Sequence, residues 1–177
     1  MKIVYLDRDG VINRRLVGDY VKKWSEFRFL PYAKRALRKL TEAGFQLYIV
    51  SNQQGVGKGM MTKQQLDEIT RRMLAEIRKS GGKIQSVAYC LHTETENCSC
   101  RKPNPGLLTQ TSRQFKFRVS DCWLIGDDER DIRAGASVGC KTILIGTEKL
   151  KSITPTYRVP NLLSAANLII KSEKESF

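Results

Sequence analysis

The N-terminal stretch MKIVYLDRDGVIN (residues 1–13) decides how the rest of the chain is read. Ile3-Val4-Tyr5-Leu6 is a continuous apolar run, the pattern of a strand buried on both faces, as in parallel sheets covered by helices. It stops at Asp7-Arg8-Asp9-Gly10, which places two carboxylates one residue apart at the tip of a buried strand. Neighbouring carboxylates repel, and their pKa values rise unless a cation compensates. Arg8, between them, is expected to point its side chain away from both.

The same alternation runs down the chain. Strand-like runs are expected at Lys2–Leu6, Gln46–Val50, Ser86–Cys90, Cys122–Ile125 and Thr142–Ile145. Between them lie helical patterns: Tyr32–Ala43, stopped by Gly44; Thr62–Lys79, with Thr62 and Gln65 as a capping box; Pro105–Phe115; and Glu129–Val138, closed by Gly139. Repeated strand–helix units predict an α/β, Rossmann-like three-layer sandwich with a central parallel sheet. Residues 1–170 are expected to form a single domain, and 171–177 a C-terminal tail into which a short last helix frays.

In such sheets ligands bind at the carboxyl ends of the strands. After the first strand comes Asp7-Arg8-Asp9-Gly10; after the second, Ser51-Asn52-Gln53-Gln54-Gly55; after the third, a cysteine cluster with Arg101-Lys102; after the fourth, Gly126-Asp127-Asp128. Asp7, Asp9 and Asp127 together form an all-oxygen set suited to Mg²⁺, which also takes a phosphate oxygen. Beside that metal, Asp7 could attack phosphorus and Asp9 could protonate the leaving alcohol, then activate water. Ser51 and Asn52 offer donors for phosphoryl oxygens, and Lys102 a fixed positive charge. Gly10 lets the backbone turn tightly beneath the pair.

Cys90-Leu91-His92 and Cys98-Ser99-Cys100 give C-x-H-x5-C-x-C, with the protein's one histidine inside it. Three thiolates and one imidazole make a closed tetrahedral Zn²⁺ set with no open position, hence a structural metal. It would pin the Thr93–Asn97 loop and fix Arg101 and Lys102 just beyond it. The remaining two of the five cysteines, Cys122 and Cys140, lie in apolar surroundings and read as buried thiols.

The 177 residues carry a net charge of +13, which favours anionic partners, but the basic residues are scattered rather than gathered in a stripe. No apolar run long enough for a membrane span and no signal-peptide pattern is present, so a soluble cytoplasmic protein with no membrane partner is expected.

Taken in order, MKIVYLDRDGVIN, IVSNQQGVGKG, CRKPNPG and LIGDDERDIRAG resemble the four motifs of the haloacid dehalogenase (HAD) superfamily of phosphohydrolases across residues 1 to 147. The closer resemblance is to the branch of the heptose 1,7-bisphosphate phosphatases and histidinol phosphatases, which share the Cys-x-His…Cys-x-Cys structural zinc. It implies Asp7 as nucleophile and Asp9 as general acid/base. Mg²⁺ would rest on the Asp7 carboxylate, the Asp9 backbone carbonyl and the Asp127 carboxylate, with Ser51 and Lys102 holding the phosphoryl group. Asp131 is implied to orient Lys102 or water on the metal. The chain departs from the heptose enzymes in carrying Asp128 where they tend to have Lys.

Each gap between motifs is filled by a strand–helix unit, leaving no room for a large cap domain. Short loops must select the substrate: Arg14–Tyr20, Gln53–Met61 and the zinc loop. Gly18, Asp19, Tyr20, Asn52, Gln53, Gln54 and Arg101 are the expected substrate contacts, Arg101 binding a distal phosphate or an adjacent hydroxyl. The expectation is a monomer acting on a small phosphorylated metabolite, heptose 1,7-bisphosphate ahead of histidinol phosphate, whose phosphatase resembles this chain in its short zinc loop. A DNA 3′-phosphatase fits the charge but lacks an aromatic stacking platform. A non-catalytic zinc module would have no use for the repelling carboxylates.

Overall fold

The computed structural model describes residues 1–175. Six parallel strands form one sheet: β1 (Ile3–Leu6), β2 (Gln46–Asn52), β3 (Ile84–Cys90), β4 (Trp123–Gly126), β5 (Lys141–Ile145) and β6 (Tyr157–Val159), in the order 3-2-1-4-5-6. The order reverses at β1, so its carboxyl end sits centrally, between β2 and β4. Five helices cover the sheet: α1 (Ala33–Glu42), α2 (Lys63–Lys79), α3 (Gly106–Phe115), α4 (Glu129–Ala136) and α5 (Leu162–Lys174). This is the expected three-layer α/β sandwich, with no large cap.

Strand alternation divides the core in two. Val4 and Leu6 of β1 join the larger cluster, which takes in the buried faces of α1, α2 and α5. Ile3 and Tyr5 face the other way, into a smaller cluster with Leu107 and Leu108 of α3, Ala134 of α4, and Cys122 and Cys140, both buried as expected. Tyr5 donates its hydroxyl to the Leu108 carbonyl at 2.9 Å, which satisfies the one polar atom of a side chain otherwise in the core.

The capping box at α2 forms as the sequence indicates: Gln65 N–H donates to Thr62 Oγ1 at 3.1 Å and Thr62 N–H to Gln65 Oε1 at 2.7 Å. Two elements differ from expectation. β6 is a short edge strand with Tyr157 and Arg158 exposed, so it never shows an apolar run. The last helix is longer than a fraying turn, because Asn161 caps it by accepting from Ser164 N–H at 2.9 Å and it continues to Lys174. The expected tail therefore begins in helix, and its last two residues, 176–177, lie outside the described residues. Among the described residues no helix is long and apolar enough to cross a membrane.

Candidate active site

The carboxyl edge of the sheet opens into a cleft of about 740 Å³. Asp7 stands at its floor, its backbone N–H donating to the Ile125 carbonyl of β4 at 2.9 Å. Lys102 reaches it from the loop before α3. The buried ammonium meets Asp7 Oδ1 at 2.8 Å, Asp131 Oδ1 at 2.6 Å and the Val50 carbonyl at 2.8 Å. Three acceptors thus meet the three donors of one ammonium. Despite burial, the two carboxylates hold Lys102 well above the ordinary lysine range. Asn52 fixes the same residue through its main chain, donating to the Lys102 carbonyl at 2.9 Å and accepting from its N–H at 3.0 Å.

Asp127 follows β4. Burial, and then repulsion from Asp7 and Asp131, push its carboxyl up to about 7; burial raises Asp7 to about 6 even with Lys102 opposing. Asp7, Asp127 and Asp131 each offer an oxygen within 4.8 Å of the others. Asp131 is already committed: besides Lys102, it accepts from the N–H groups of Asp127 and Asp128 at 3.2 Å each. Asp127 has the half-exposed Arg15 guanidinium 3.4 Å from its Oδ2, which does not offset burial and the acidic neighbours, and an oxygen-seeking divalent cation fits between it and Asp7. Gly10 makes this approach possible. Its φ is +86°, and a Cβ there would fall 1.9 Å from Asp127 Oδ2.

Arg8 corrects the expectation. Its guanidinium is turned onto Asp9, with Nε 3.1 Å from Oδ2 and Nη2 3.1 Å from Oδ1, and it lies over the Tyr89 ring. The physical reason is its burial, at 1% exposure: a guanidinium out of water must take the nearest carboxylate. Asn13 and Gln53 also donate to Asp9, at 2.8 and 2.7 Å. In spite of burial these contacts hold Asp9 below the usual carboxylate range. Gln53 donates to Ser51 Oγ as well, at 3.2 Å, which places its carboxamide between motif side chains rather than on the cleft wall.

The other expected substrate contacts, Gly18, Asp19, Tyr20, Asn52, Gln54 and Arg101, line the cleft. Tyr20 lies flat against Gly55, where a Cβ would come within 2.9 Å of the ring. The Gln54 Oε1 is buried with no hydrogen-bond partner. Asp128 caps α4, accepting from Arg130 N–H at 3.0 Å, and pairs with the Arg130 side chain at 2.9 Å. Arg15, Lys58 and Arg130 also line the cleft and were not singled out from sequence. Nothing separated them from the other Lys and Arg residues, 31 in all.

Cys90, His92, Cys98 and Cys100 converge at the end of β3. The Sγ–Sγ separations are 3.1 to 3.6 Å, and His92 Nδ1 lies 3.2 Å from Cys100 Sγ. None of the four is in a disulfide. Four thiolates or imidazoles about 2.3 Å from one zinc lie about 3.7 Å apart, so the set fits a tetrahedral ion after a small expansion. Asn104 donates to the Cys98 carbonyl at 2.8 Å and Gly106 N–H to that of Ser99 at 3.0 Å, seating the loop on the start of α3.

The HAD-hydrolase-like family model matches residues 99–165. The D-glycero-beta-D-manno-heptose-1,7-bisphosphate 7-phosphatase of Neisseria meningitidis serogroup A is 39% identical over 85% of this chain and 80% of its own length. The D-glycero-alpha-D-manno-heptose-1,7-bisphosphate 7-phosphatase of Mycobacterium tuberculosis is 38% identical over 81% and 78%. Among solved structures, the D,D-heptose 1,7-bisphosphate phosphatase of B. bronchiseptica, crystallised with magnesium and phosphate, superposes with a TM-score of 0.90 at 28% identity, covering 97% of this chain and 99% of that one. The chain belongs to the HAD-like hydrolase family, alongside its heptose-bisphosphate phosphatases.

Proposed function

We propose that this chain is a Mg²⁺-dependent phosphomonoesterase that removes the 7-phosphate of D-glycero-D-manno-heptose 1,7-bisphosphate. The observation that carries the reading is the buried Asp7–Lys102–Asp131 ion network at the switch point of the sheet, next to Asp127, whose carboxyl is pushed up by burial and by its acidic neighbours. A network of that kind poises one carboxylate as a nucleophile and supplies positive charge where a phosphoryl group would sit.

In this reading an Asp7 oxygen attacks phosphorus, and the ester oxygen leaves with a proton from Asp9. The aspartyl-phosphate on Asp7 is then cleaved by a water molecule from which Asp9 removes a proton. Arg8, Asn13 and Gln53 hold Asp9 for that exchange, and must yield part of their hold when it carries the proton. Lys102 keeps Asp7 ionised, and Asp131 keeps Lys102 in place, while the Ser51 hydroxyl and Lys102 hold the phosphoryl oxygens. Mg²⁺, on the Asp7 and Asp127 carboxylates and the Asp9 carbonyl, would screen Asp7 from the charge of the phosphate it attacks. Zn²⁺ on Cys90, His92, Cys98 and Cys100 would act as a structural clip. The unpartnered Gln54 acceptor suits a sugar hydroxyl, in a cleft walled by Gly18, Asp19, Tyr20, Asn52 and Arg101.

The proposal extends to a monomer in the cytoplasm, acting on a small metabolite rather than nucleic acid. Many basic side chains are matched locally on helix surfaces, as in Arg38–Glu42 and Arg71–Glu68, which argues against a continuous nucleic-acid track. The test is phosphate release from both anomers of heptose bisphosphate, from histidinol phosphate and from a 3′-phosphorylated oligonucleotide. Mg²⁺-dependent release, fastest with a heptose bisphosphate and lost in Asp7→Asn, is expected. A preference for histidinol phosphate or the oligonucleotide would overturn the substrate, and no hydrolysis of any ester would overturn the activity.

A further inference from the structure

Hydrolysis at Asp7 makes no use of Glu94, yet this residue holds an unusual position. It sits in the short helical turn of the zinc loop with its side chain 71% exposed, and its Oε1 accepts from the buried Arg101 Nη2 at 2.9 Å. Arg130 brings Nη1 to 4.0 Å from the same oxygen. That arginine cannot drift freely, because Asp128 holds its Nε at 3.0 Å and its Nη2 at 2.9 Å. Lys58 acts on the same carboxylate through space. Arg101, Arg130 and Lys58 all line the cleft that contains Asp7, whereas Glu94 approaches them from outside the wall. One exposed carboxylate therefore binds Arg101 and faces two more cations that belong to the substrate cleft.

We propose that Arg130 and Lys58, with Arg101, form a second anion subsite, and that Glu94 is its internal counter-ion, displaced by the second anionic group of the substrate. The inference rests on the reading that the substrate carries a phosphate at each end. An ion pair with so exposed a partner holds its equilibrium by no more than about 5-fold. A phosphate dianion carries more charge and offers several oxygens to the guanidinium forks, so it displaces Glu94, whereas a neutral hydroxyl does not. Glu94 thereby opposes occupation of the subsite: a monophosphate leaves the native pair intact, and a bisphosphate binds by displacing it, at a small cost in affinity that keeps weaker anions out. Asp128 has a part in this too, since it aims the Arg130 guanidinium with the hold described above.

The experiment compares KM and kcat for sugar bisphosphates and their matching monophosphates (heptose 1,7-bisphosphate with heptose 7-phosphate, fructose 1,6-bisphosphate with fructose 6-phosphate) in wild type, Glu94→Gln and Arg130→Gln. Zinc content and melting temperature establish that each variant is folded. Glu94→Gln is expected to lower KM for the bisphosphate by about 2- to 5-fold. Its monophosphate KM should change by less than about 1.5-fold, and kcat should hold for both. Arg130→Gln should raise KM for the bisphosphate alone. Equal shifts for both members of a pair, or none, would overturn the subsite while leaving the proposed activity standing. Turnover of a different bisphosphate in place of the heptose, with the KM pattern intact, would overturn the substrate and uphold the subsite. If neither wild type nor Glu94→Gln turned over any bisphosphate, both would fall.

Discussion

Lys102→Met removes one charge from the centre of the molecule at nearly constant side-chain length. It leaves the Asp7 and Asp131 carboxylates, whose oxygens lie within 4.8 Å, facing each other without a cation. At an effective dielectric constant of about 20 their repulsion is roughly 3.5 kcal/mol. The Val50 carbonyl also loses its donor, at a cost of about 1 kcal/mol or more. Asp7 already titrates at about 6 with Lys102 opposing the rise, so without Lys102 it titrates higher still. A carboxylate whose folded pKa is raised destabilises the fold as pH rises from its unfolded value through the folded one, since the unfolded chain gives up the proton first. The loss in Lys102→Met should therefore be about 3–5 kcal/mol at pH 8, a fall of roughly 6–20 °C in Tm, and less than half of that at pH 5, where protonation relieves the repulsion. Thermal melts of both proteins from pH 5 to 8, free of divalent metal, read this directly. A loss below about 1 kcal/mol at pH 8, or an equal loss at pH 5, would refute the assignment of Lys102 as counter-charge.

Three further outcomes follow from the same site. Gly10→Ala places a Cβ 1.9 Å from Asp127 Oδ2 at a φ of +86°, so Asp127 must swing away; the backbone costs about 1–2 kcal/mol, and Mg²⁺ affinity by calorimetry should fall at least tenfold, an unchanged affinity counting against the close approach. Asp127→Asn relieves a carboxyl pushed up to about 7: without Mg²⁺ its Tm should match wild type near pH 4 and exceed it at pH 8, and saturating Mg²⁺ should reverse that order, whereas a lower Tm at every pH would contradict the charge argument. Stripping zinc with a strong chelator should lower phosphatase activity by loosening the segment that carries Arg101 and Lys102, and full activity in protein shown to be zinc-free would defeat that coupling.

The parts of the site that sequence revealed are those whose chemistry is anomalous where it stands. Carboxylates at the end of an apolar run, such as Asp7 and Asp127, and a histidine among three cysteines have few ordinary structural uses, so their position identifies them. The parts it hid are ordinary in type and distinguished only by direction. Arg8 follows a strand, and nothing in the pattern says that burial will turn it onto Asp9. Gln53 reads as a loop polar residue, yet it bridges Ser51 and Asp9. Asp128 and Asp131 look alike in GDDERD; one caps α4 and aims Arg130, the other anchors Lys102. The fold was legible through its buried strands for the same reason, while β6, two-thirds exposed, offered no apolar run to read.

The two faces of the sheet are unequal, and this bears on how the molecule loosens. The face carrying α1, α2 and α5 has the larger core, mostly aliphatic, with Phe27, Phe45 and Trp123 buried in it. The face carrying α3 and α4 has a smaller core, in which Cys90, Cys98 and Cys100 pack beside Leu107, Leu108 and the ring group of Tyr5, Tyr48, Phe115 and Phe117. A metal bound there would take the place of apolar mass. In amide hydrogen exchange, demetallation should release β3 and α3 early while α1 and α5 stay protected, so that the protein opens from the clipped side first. The same side delivers Lys102 to Asp7, so a breathing motion too small to unfold the domain would already uncouple the proposed nucleophile from its counter-charge.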